Sequence, residues 1–391
     1  MNHKDRWLLP AGITEVLPSE AVHFEQLHRR LVDLYTTWGY ELVIPPMVEY
    51  LESLLVGVGD TLELQTFKLI DQLTGRMMGI RADMTPQIAR IDAHHLKRDV
   101  PTRLCYLGTV LHTRPNKFAG SRSPFQVGAE LYGYAGVAGD VEIISLMLET
   151  LQTIDITEFH IDVGHVGIYR SLIQEARLNK EQEAQLFDAI KRKAIDEIDA
   201  LLGNWHTPCA AHEMLYELAQ LDGKNDILHT ARRIFNTASD PIHQALDDLV
   251  HLSEQLDQHN LYFDLAELRG YTYHTGIVFT AYVPQYGQAI AKGGRYDIGK
   301  TFGRSRPATG FSTNLRALAS FSQQSYKPAA IFAPAINDPQ LKQTILQLRK
   351  QKQIVIYELP EQIGNAKAMG CDRELRLINQ NWQVVEINAT Y

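Results

Sequence analysis

The chain has 391 residues, 45% hydrophobic and 21% charged, an ordinary globular composition that excludes a disordered, collagen-like or coiled-coil polymer. Its 38 Lys+Arg against 46 Asp+Glu give a net charge of −8, so the molecule exerts no global electrostatic pull on nucleic-acid phosphate. No apolar run of about 18 residues is present to span a membrane, the N-terminus leads into no signal-peptide core, and Cys105, Cys209 and Cys371 have neither disulfide nor zinc spacing, which predicts a reduced, cytoplasmic protein.

Phe24, Leu27, Leu31, Leu34, Tyr35 and Trp38 recur at three- and four-residue spacing and predict an amphipathic helix, capped by Ser19 and stopped at Gly39. A short strand over 40–44 follows, and Pro45-Pro46 places it at a sheet edge, where a missing N–H costs least. Residues 65–70 and 76–82 predict a hairpin about the turn 71–75. Thr85-Pro86 predicts a helix start with Thr85 as N-cap. Strands are expected over 102–110 and 124–134, then a helix over 141–153 and a strand over 158–163. From about 178 to 258 the apolar spacing is helical throughout, over 180–202, 209–221, 225–237 and 240–258. A strand over 261–265 and a glycine-punctuated stretch come next, closed by a helix over 313–321. An all-helical block between two strand-rich blocks reads as an insertion into one domain, here 1–321. Residues 322–328 form a polar linker. The last segment, 329–391, predicts a small α/β unit: a strand over 329–333, a helix over 338–350, a strand over 354–359 and a final pair within 375–387. The fold class is α+β.

Residues two apart on a strand share a face. Gln126, Gly128, Glu130 and Tyr132 therefore point one way, and Phe125, Val127, Ala129 and Leu131 the other, toward a core. The first set is a polar row with a gap at Gly128, suited to a small ligand or to solvent. Glu130 would hold an ammonium or an imidazole N–H, and Gln126 would donate or accept beside it. The loop 112–123 carries Arg114, Lys117 and Arg122 and no acid, which suits a phosphate or plain solvent. Arg269, at a strand end and followed by Gly270 and aromatics, has the form of a carboxylate clamp beside a wall of Tyr273 or His274. Gly293-Gly294-Arg295-Tyr296-Asp297 is a turn or a place where backbone approaches a ligand closely. His160 and Asp162 share a strand face without His165, and His94-His95 point apart on their helix, so no metal site is expected.

These pieces in this order resemble the core of a class II aminoacyl-tRNA synthetase of the histidyl type. Residues 39–46 resemble motif 1, which in that family builds the dimer interface. Residues 80–85 resemble the Leu-Arg-Pro-Glu-Gly-Thr stretch that reads the histidine ammonium, and 106–130 resemble motif 2. Residues 268–279 and 293–297 resemble the two histidine-specific motifs, and 307–318 resemble motif 3. The resemblance covers about 10–320 and implies an antiparallel sheet with flanking helices, the helical insertion and a truncated anticodon-binding-like unit at the end. It implies a histidine pocket in which Asp83 and Thr85 face the ammonium with Gln126 and Glu130. Glu130 and Tyr273 would flank the imidazole, Arg269 is the most family-specific member, and His274 stands where the family has a second Tyr.

The departures concern ATP. His112 occupies the position of the arginine that meets the α-phosphate, and Ala317 that of the arginine on the γ-phosphate side. Arg316 lies one residue earlier, about 100° round the helix axis. Tyr271-Thr272 replaces Leu-Asp. Amino-acid activation needs charge stabilisation on the transferring phosphate, so adenylate formation is not expected. The C-terminal unit is also short for an anticodon-binding domain and has no basic stripe. The wording Arg81-Ala82-Asp83-Met84-Thr85-Pro86-Gln87-Ile88-Ala89-Arg90 is similar to that of a paralogous family, the regulatory subunits of short-form ATP phosphoribosyltransferase. This resemblance implies a chain that is not itself an enzyme, binds L-histidine and needs no cofactor or metal. It would pair with itself through the motif 1 region and join a separate short-form catalytic subunit, usually as a hetero-octamer. It would activate that subunit and pass on feedback inhibition by histidine in the first step of histidine biosynthesis, without nucleic-acid or membrane partners. A degenerate or active histidyl-tRNA synthetase is the alternative.

Overall fold

Leu27, Leu31 and Tyr35 recur every four residues, and the helix they build, Pro18–Thr37, buries all three. The computed structural model describes residues 7–56, 60–115, 120–205, 209–284, 286–297, 303–322 and 329–387. The first helix begins at Pro18 with Leu17 in the N-cap position, ahead of the expected Ser19 cap, because proline presets the backbone of a first helical residue. The chain divides into two units, Met1–Gln323 and Gln324–Tyr391.

The first unit is built on a nine-stranded sheet. Its strands run in the order Glu41–Leu42, Thr102–Thr109, Phe125–Tyr132, Ala308–Asn314, Ala289–Tyr296, His274–Tyr282, His160–His165, Leu261–Asp264 and Asp222–Gly223. Pairing is antiparallel except where Glu41–Leu42 meets Thr102–Thr109 and where His160–His165 meets Leu261–Asp264. The two-residue strand before Pro45-Pro46 is an edge, as the prolines require. One face of the sheet is apolar: Cys105, Ala129, Phe311, Phe279, Val163 and Phe263 lie in register across it. This face packs against the first helix and against Val137–Thr153, which contributes Ile143, Ile144, Met147 and Leu151. A separate three-stranded sheet contains the expected hairpin, Phe67–Ile70 with Met77–Ile80, and the strand Val48–Tyr50.

Four local expectations change. The helix expected over 180–202 is two, Lys180–Lys191 and Ile195–Asn204. Lys193 between them takes φ +51°, and its ammonium pairs with Asp222 at 2.7 Å and Asp264 at 3.1 Å. The block from 178 to 258 is not all helical, since Asp222–Gly223 adds the last strand of the sheet, and its helices share the main core. The expected closing helix over 313–321 shrinks to Leu315–Ala319, because the strand runs on to Asn314, whose side chain accepts from Arg316 N. Thr85 does begin a helix, Thr85–Arg90, but caps nothing; Met84 holds the N-cap position, and the Thr85 hydroxyl is used elsewhere.

The second unit is a four-stranded sheet in the order Ile354–Tyr357, Ala330–Ala333, Arg373–Ile378 and Asn381–Glu386. The first three strands are parallel and the last pair is an antiparallel hairpin. Asn379 and Gln380 both take positive φ at its two-residue turn, matching the twist of the flanking strands. Helix Pro339–Lys350 packs Leu341 and Ile345 onto Ile331, Val355 and Leu375. Asp338 caps it at Gln340 N and accepts the Trp382 indole N–H, both at 2.7 Å.

Candidate functional site

The second face of the nine-stranded sheet carries the polar residues. Register places Tyr106, Gly128, Ser312, Lys292, Thr280 and Asp162 in one row across six strands. Leu104, Glu130, Gly310, Gly294, Val278 and Gly164 form the next row. On this face lies a cavity of about 320 Å³, lined among others by Asp83, Thr85, Glu130, Arg269, Tyr273, His274 and Lys292. The volume suits a small molecule.

Glu130 is the buried centre of the site, only 2% exposed. Its Oε1 accepts from Tyr106 Oη at 3.0 Å and Thr85 Oγ1 at 3.2 Å, and its Oε2 accepts from Tyr296 Oη at 2.8 Å. Burial pushes the carboxyl up to about 8; the hydrogen bonds from Tyr296 and Tyr106 oppose the rise, and the neighbouring Asp83 adds to it. Gly310 is obligatory behind it, since a Cβ there would lie 1.6 Å from Glu130 Oε2. Gly128, expected to leave a gap for a ligand, is filled from within: a Cβ there would lie 2.4 Å from Tyr106 Oη.

Beside Glu130, Asp83 Oδ1 accepts from Gln126 Nε2 at 2.8 Å and from Thr85 N at 3.0 Å. Gln126 Oε1 in turn accepts from Met84 N at 2.9 Å, which fixes its amide orientation. Arg81 pins this segment from below, donating to the carbonyls of Thr109 at 2.9 Å and Pro45 at 2.8 Å. The aromatic wall is Tyr273, stacked on Tyr296 with centroids 4.9 Å apart and edge-on to His274 at 5.2 Å. Tyr273 Oη is buried with no hydrogen-bond partner among the described residues. His274 Nδ1 lies 3.3 Å from Arg295 O, and burial pushes the ring down to about 4, so it is neutral at pH 7.

Arg269 departs from the simple clamp. Its Nε and Nη2 approach Glu267 Oε2 at 2.9 and 2.6 Å, and its backbone N donates to Glu267 Oε1 at 2.7 Å. The guanidinium thus reaches the cavity already paired. Asp83, Thr85, Glu130, Arg269, Tyr273 and His274 all line the cavity, and Gln126 joins them through Asp83. Residue patterns alone missed Tyr106, Tyr296 and Lys292. Tyr106 becomes visible once the strands 102–109 and 125–132 are paired in register, and Lys292 shares a strand face with Gly294.

The positions expected to differ at an ATP site are engaged elsewhere. His112 Nε2 lies 2.9 Å from Ala82 O, and Arg316 binds Thr14 through Oγ1 at 3.0 Å and O at 3.1 Å. Ala317 is packed in the main core. In the loop 112–123, Arg122 donates to the carbonyls of His112 and Ala11, while Lys117 lies outside the described residues. Arg295 of the Gly-Gly-Arg-Tyr-Asp segment, which is strand and not turn, pairs with buried Asp140 at 2.6 Å and with the carbonyls of Tyr134 and Gly136. His160 stacks on Tyr282, and His165 caps Val166–Glu175 by accepting from Gly167 N. Among the described residues no group of three or more His, Cys, Asp or Glu could hold a metal ion.

Sheet and cavity together define a class II synthetase core of the histidyl type. The family model described as histidyl-tRNA synthetase matches residues 12–318, and that described as ATP phosphoribosyltransferase subunit HisZ C-terminal domain matches 328–385. A solved structure from Bacillus halodurans, titled as an ATP phosphoribosyltransferase regulatory subunit/histidyl-tRNA synthetase, superimposes with a TM-score of 0.81 at 26% identity, covering 93% of this chain and 96% of the other. Histidyl-tRNA synthetase from Nostoc sp. PCC 7120 shares the fold, with a TM-score of 0.77 at 19% identity over 95% of this chain and 91% of that one. The chain belongs to the ATP phosphoribosyltransferase regulatory subunit family. It is 54% identical to the member from Thioalkalivibrio sulfidiphilus, covering 99% of this chain and 100% of that one. It is 52% identical to the member from Pseudomonas syringae pv. tomato, covering 98% of each.

Proposed function

We propose that this chain is the histidine-sensing, non-catalytic subunit of a short-form ATP phosphoribosyltransferase. It activates a separate catalytic subunit in the cytoplasm, conveys feedback inhibition by histidine in the first step of histidine biosynthesis, and has no activity of its own. Asp83, Thr85 and Gln126 take the ammonium of L-histidine, Glu130 and Tyr273 its imidazole, Arg269 its carboxylate, and His274 closes the wall. The observation that carries this reading is a contrast: the pocket around Glu130 is assembled, while His112 is bound to Ala82 O, Arg316 to Thr14, and Ala317 is packed in the core. A site that holds an amino acid without stabilising a transferring phosphate can report on the amino acid but cannot activate it. Feedback is then a coupling free energy, typically about 1–3 kcal/mol, and requires that histidine bind the two states of the complex unequally.

Self-association would use the motif 1 region, where Leu42, Ile44, Met47 and Val48 are exposed. The 329–387 unit is read as a shortened anticodon-binding-like domain without an RNA role, so no nucleic-acid partner is involved. The test is reconstitution. This chain is mixed with a short-form catalytic subunit, and phosphoribosyl-ATP formation is followed with and without histidine. Stimulation together with increased histidine sensitivity is expected. No complex on a sizing column and no change in rate would refute the proposal, and histidine-dependent ATP–pyrophosphate exchange by the chain alone would restore the synthetase alternative.

A further inference from the structure

We propose that Lys292 reads the ligand's carboxylate together with Arg269, whose charge Glu267 already offsets, and that it makes the cavity select an α-amino acid over the corresponding amine. The inference rests on the histidine reading above and refines it. Among the described lining residues the carboxyl groups are Asp83, Glu130 and Glu267, and the cations are Arg269 and Lys292. Glu267 and Arg269 neutralise each other through contacts of 2.6 to 3.1 Å. Glu130 is held largely protonated near neutral pH by burial, and His274 is neutral. Two lining charges remain without a charged protein partner: Asp83, half-buried and accepting from Gln126 and Thr85 N, and Lys292, exposed to solvent. A negative pole and a positive pole in one small cavity complement a zwitterion.

The placement of Lys292 follows from register. It lies between Thr280 and Ser312 on the strand Ala289–Tyr296, while its neighbour Ala291 packs into the core on the opposite face. Its charge is felt at His274, where it favours the neutral ring. No ion pair or hydrogen bond joins Lys292 to a described residue. The Thr280 and Ser312 hydroxyls flank it, able to complete the shell of a carboxylate that the ammonium alone would hold loosely.

The test is calorimetric titration of the full chain with L-histidine and with histamine, the same molecule without the carboxylate. Lys292→Met should weaken histidine binding about tenfold or more, the loss of one charge-assisted contact, and leave histamine binding unchanged. Lys292→Arg should restore most of the histidine affinity. Wild-type histidine affinity in Lys292→Met would overturn the proposal, and so would an equal loss for histidine and histamine. Absence of histidine binding by the wild-type chain would overturn the histidine reading itself, and this inference with it. A melting temperature of Lys292→Met equal to wild type is the control for folding.

Discussion

Replacing Glu130 by Gln should make the stability of this protein less dependent on pH. The carboxyl is 2% exposed, and burial raises it from the ordinary 4.5 to about 8. The folded state therefore holds a proton that the unfolded chain releases at lower pH. Between these values the folded state binds more protons than the unfolded one, so unfolding free energy falls as pH rises through that window. At 1.36 kcal/mol per pH unit the loss is on the order of 5 kcal/mol, complete a little above pH 8 and absent below about pH 4.5. Solvent screening removes little from a group this buried. Glu130→Gln keeps the shape and an acceptor for one of the two phenols, Tyr106 or Tyr296, but cannot ionise. Any fixed cost of the added amide donor is independent of pH. The assay is the melting temperature of both proteins from pH 5 to pH 9. Other titrating groups cancel in the difference between them. The variant should gain on wild type by roughly 5 °C between pH 5 and pH 8.5 for a chain of this length. A difference that stays constant across this range would refute the argument and show that Glu130 is already ionised, or solvated, in the folded protein.

Two further substitutions probe the same site. Arg269→Ala should weaken L-histidine binding by about 1.5–3 kcal/mol, part of it from the buried Glu267 carboxylate left without its partner; unchanged affinity by calorimetry would remove Arg269 from the pocket. Gly310→Ala inserts a methyl where Glu130 Oε2 now lies, and should cost about 1–3 kcal/mol of stability together with most ligand affinity. A variant that melts and binds like wild type would show that Glu130 has room to move.

Local periodicity was sufficient for much of the fold. The apolar spacing of Leu27, Leu31 and Tyr35 marks the first helix, and strand alternation correctly separates Val127, Ala129 and Leu131 from Glu130. Pro45-Pro46 correctly marks an edge strand. These features depend on neighbours within a few residues, which share a helix turn or a strand face whatever the rest of the chain does. The resemblance of short motifs brought out the candidate pocket residues for a related reason: each motif carries the residues that one strand end or turn presents to the cavity.

Most of what failed was set by partners distant in sequence. Thr85 looks like a helix cap, but its hydroxyl donates to Glu130. Gly128 looks like a vacancy, but the phenol of its cross-strand partner Tyr106 fills it. The helix over 180–202 breaks at Lys193, whose ammonium is held by Asp222 and Asp264. Arg269 looks free, and its partner Glu267 is only two residues away; what the sequence could not say is that the chain turns there and buries that carboxylate. By itself, then, the sequence determined most of the helices and strands, which faces are apolar, and which motifs gather the polar residues. Only the tertiary structure decided which of those residues are left without a charged partner, because strand register and burial set the distances over which charges and hydrogen bonds act.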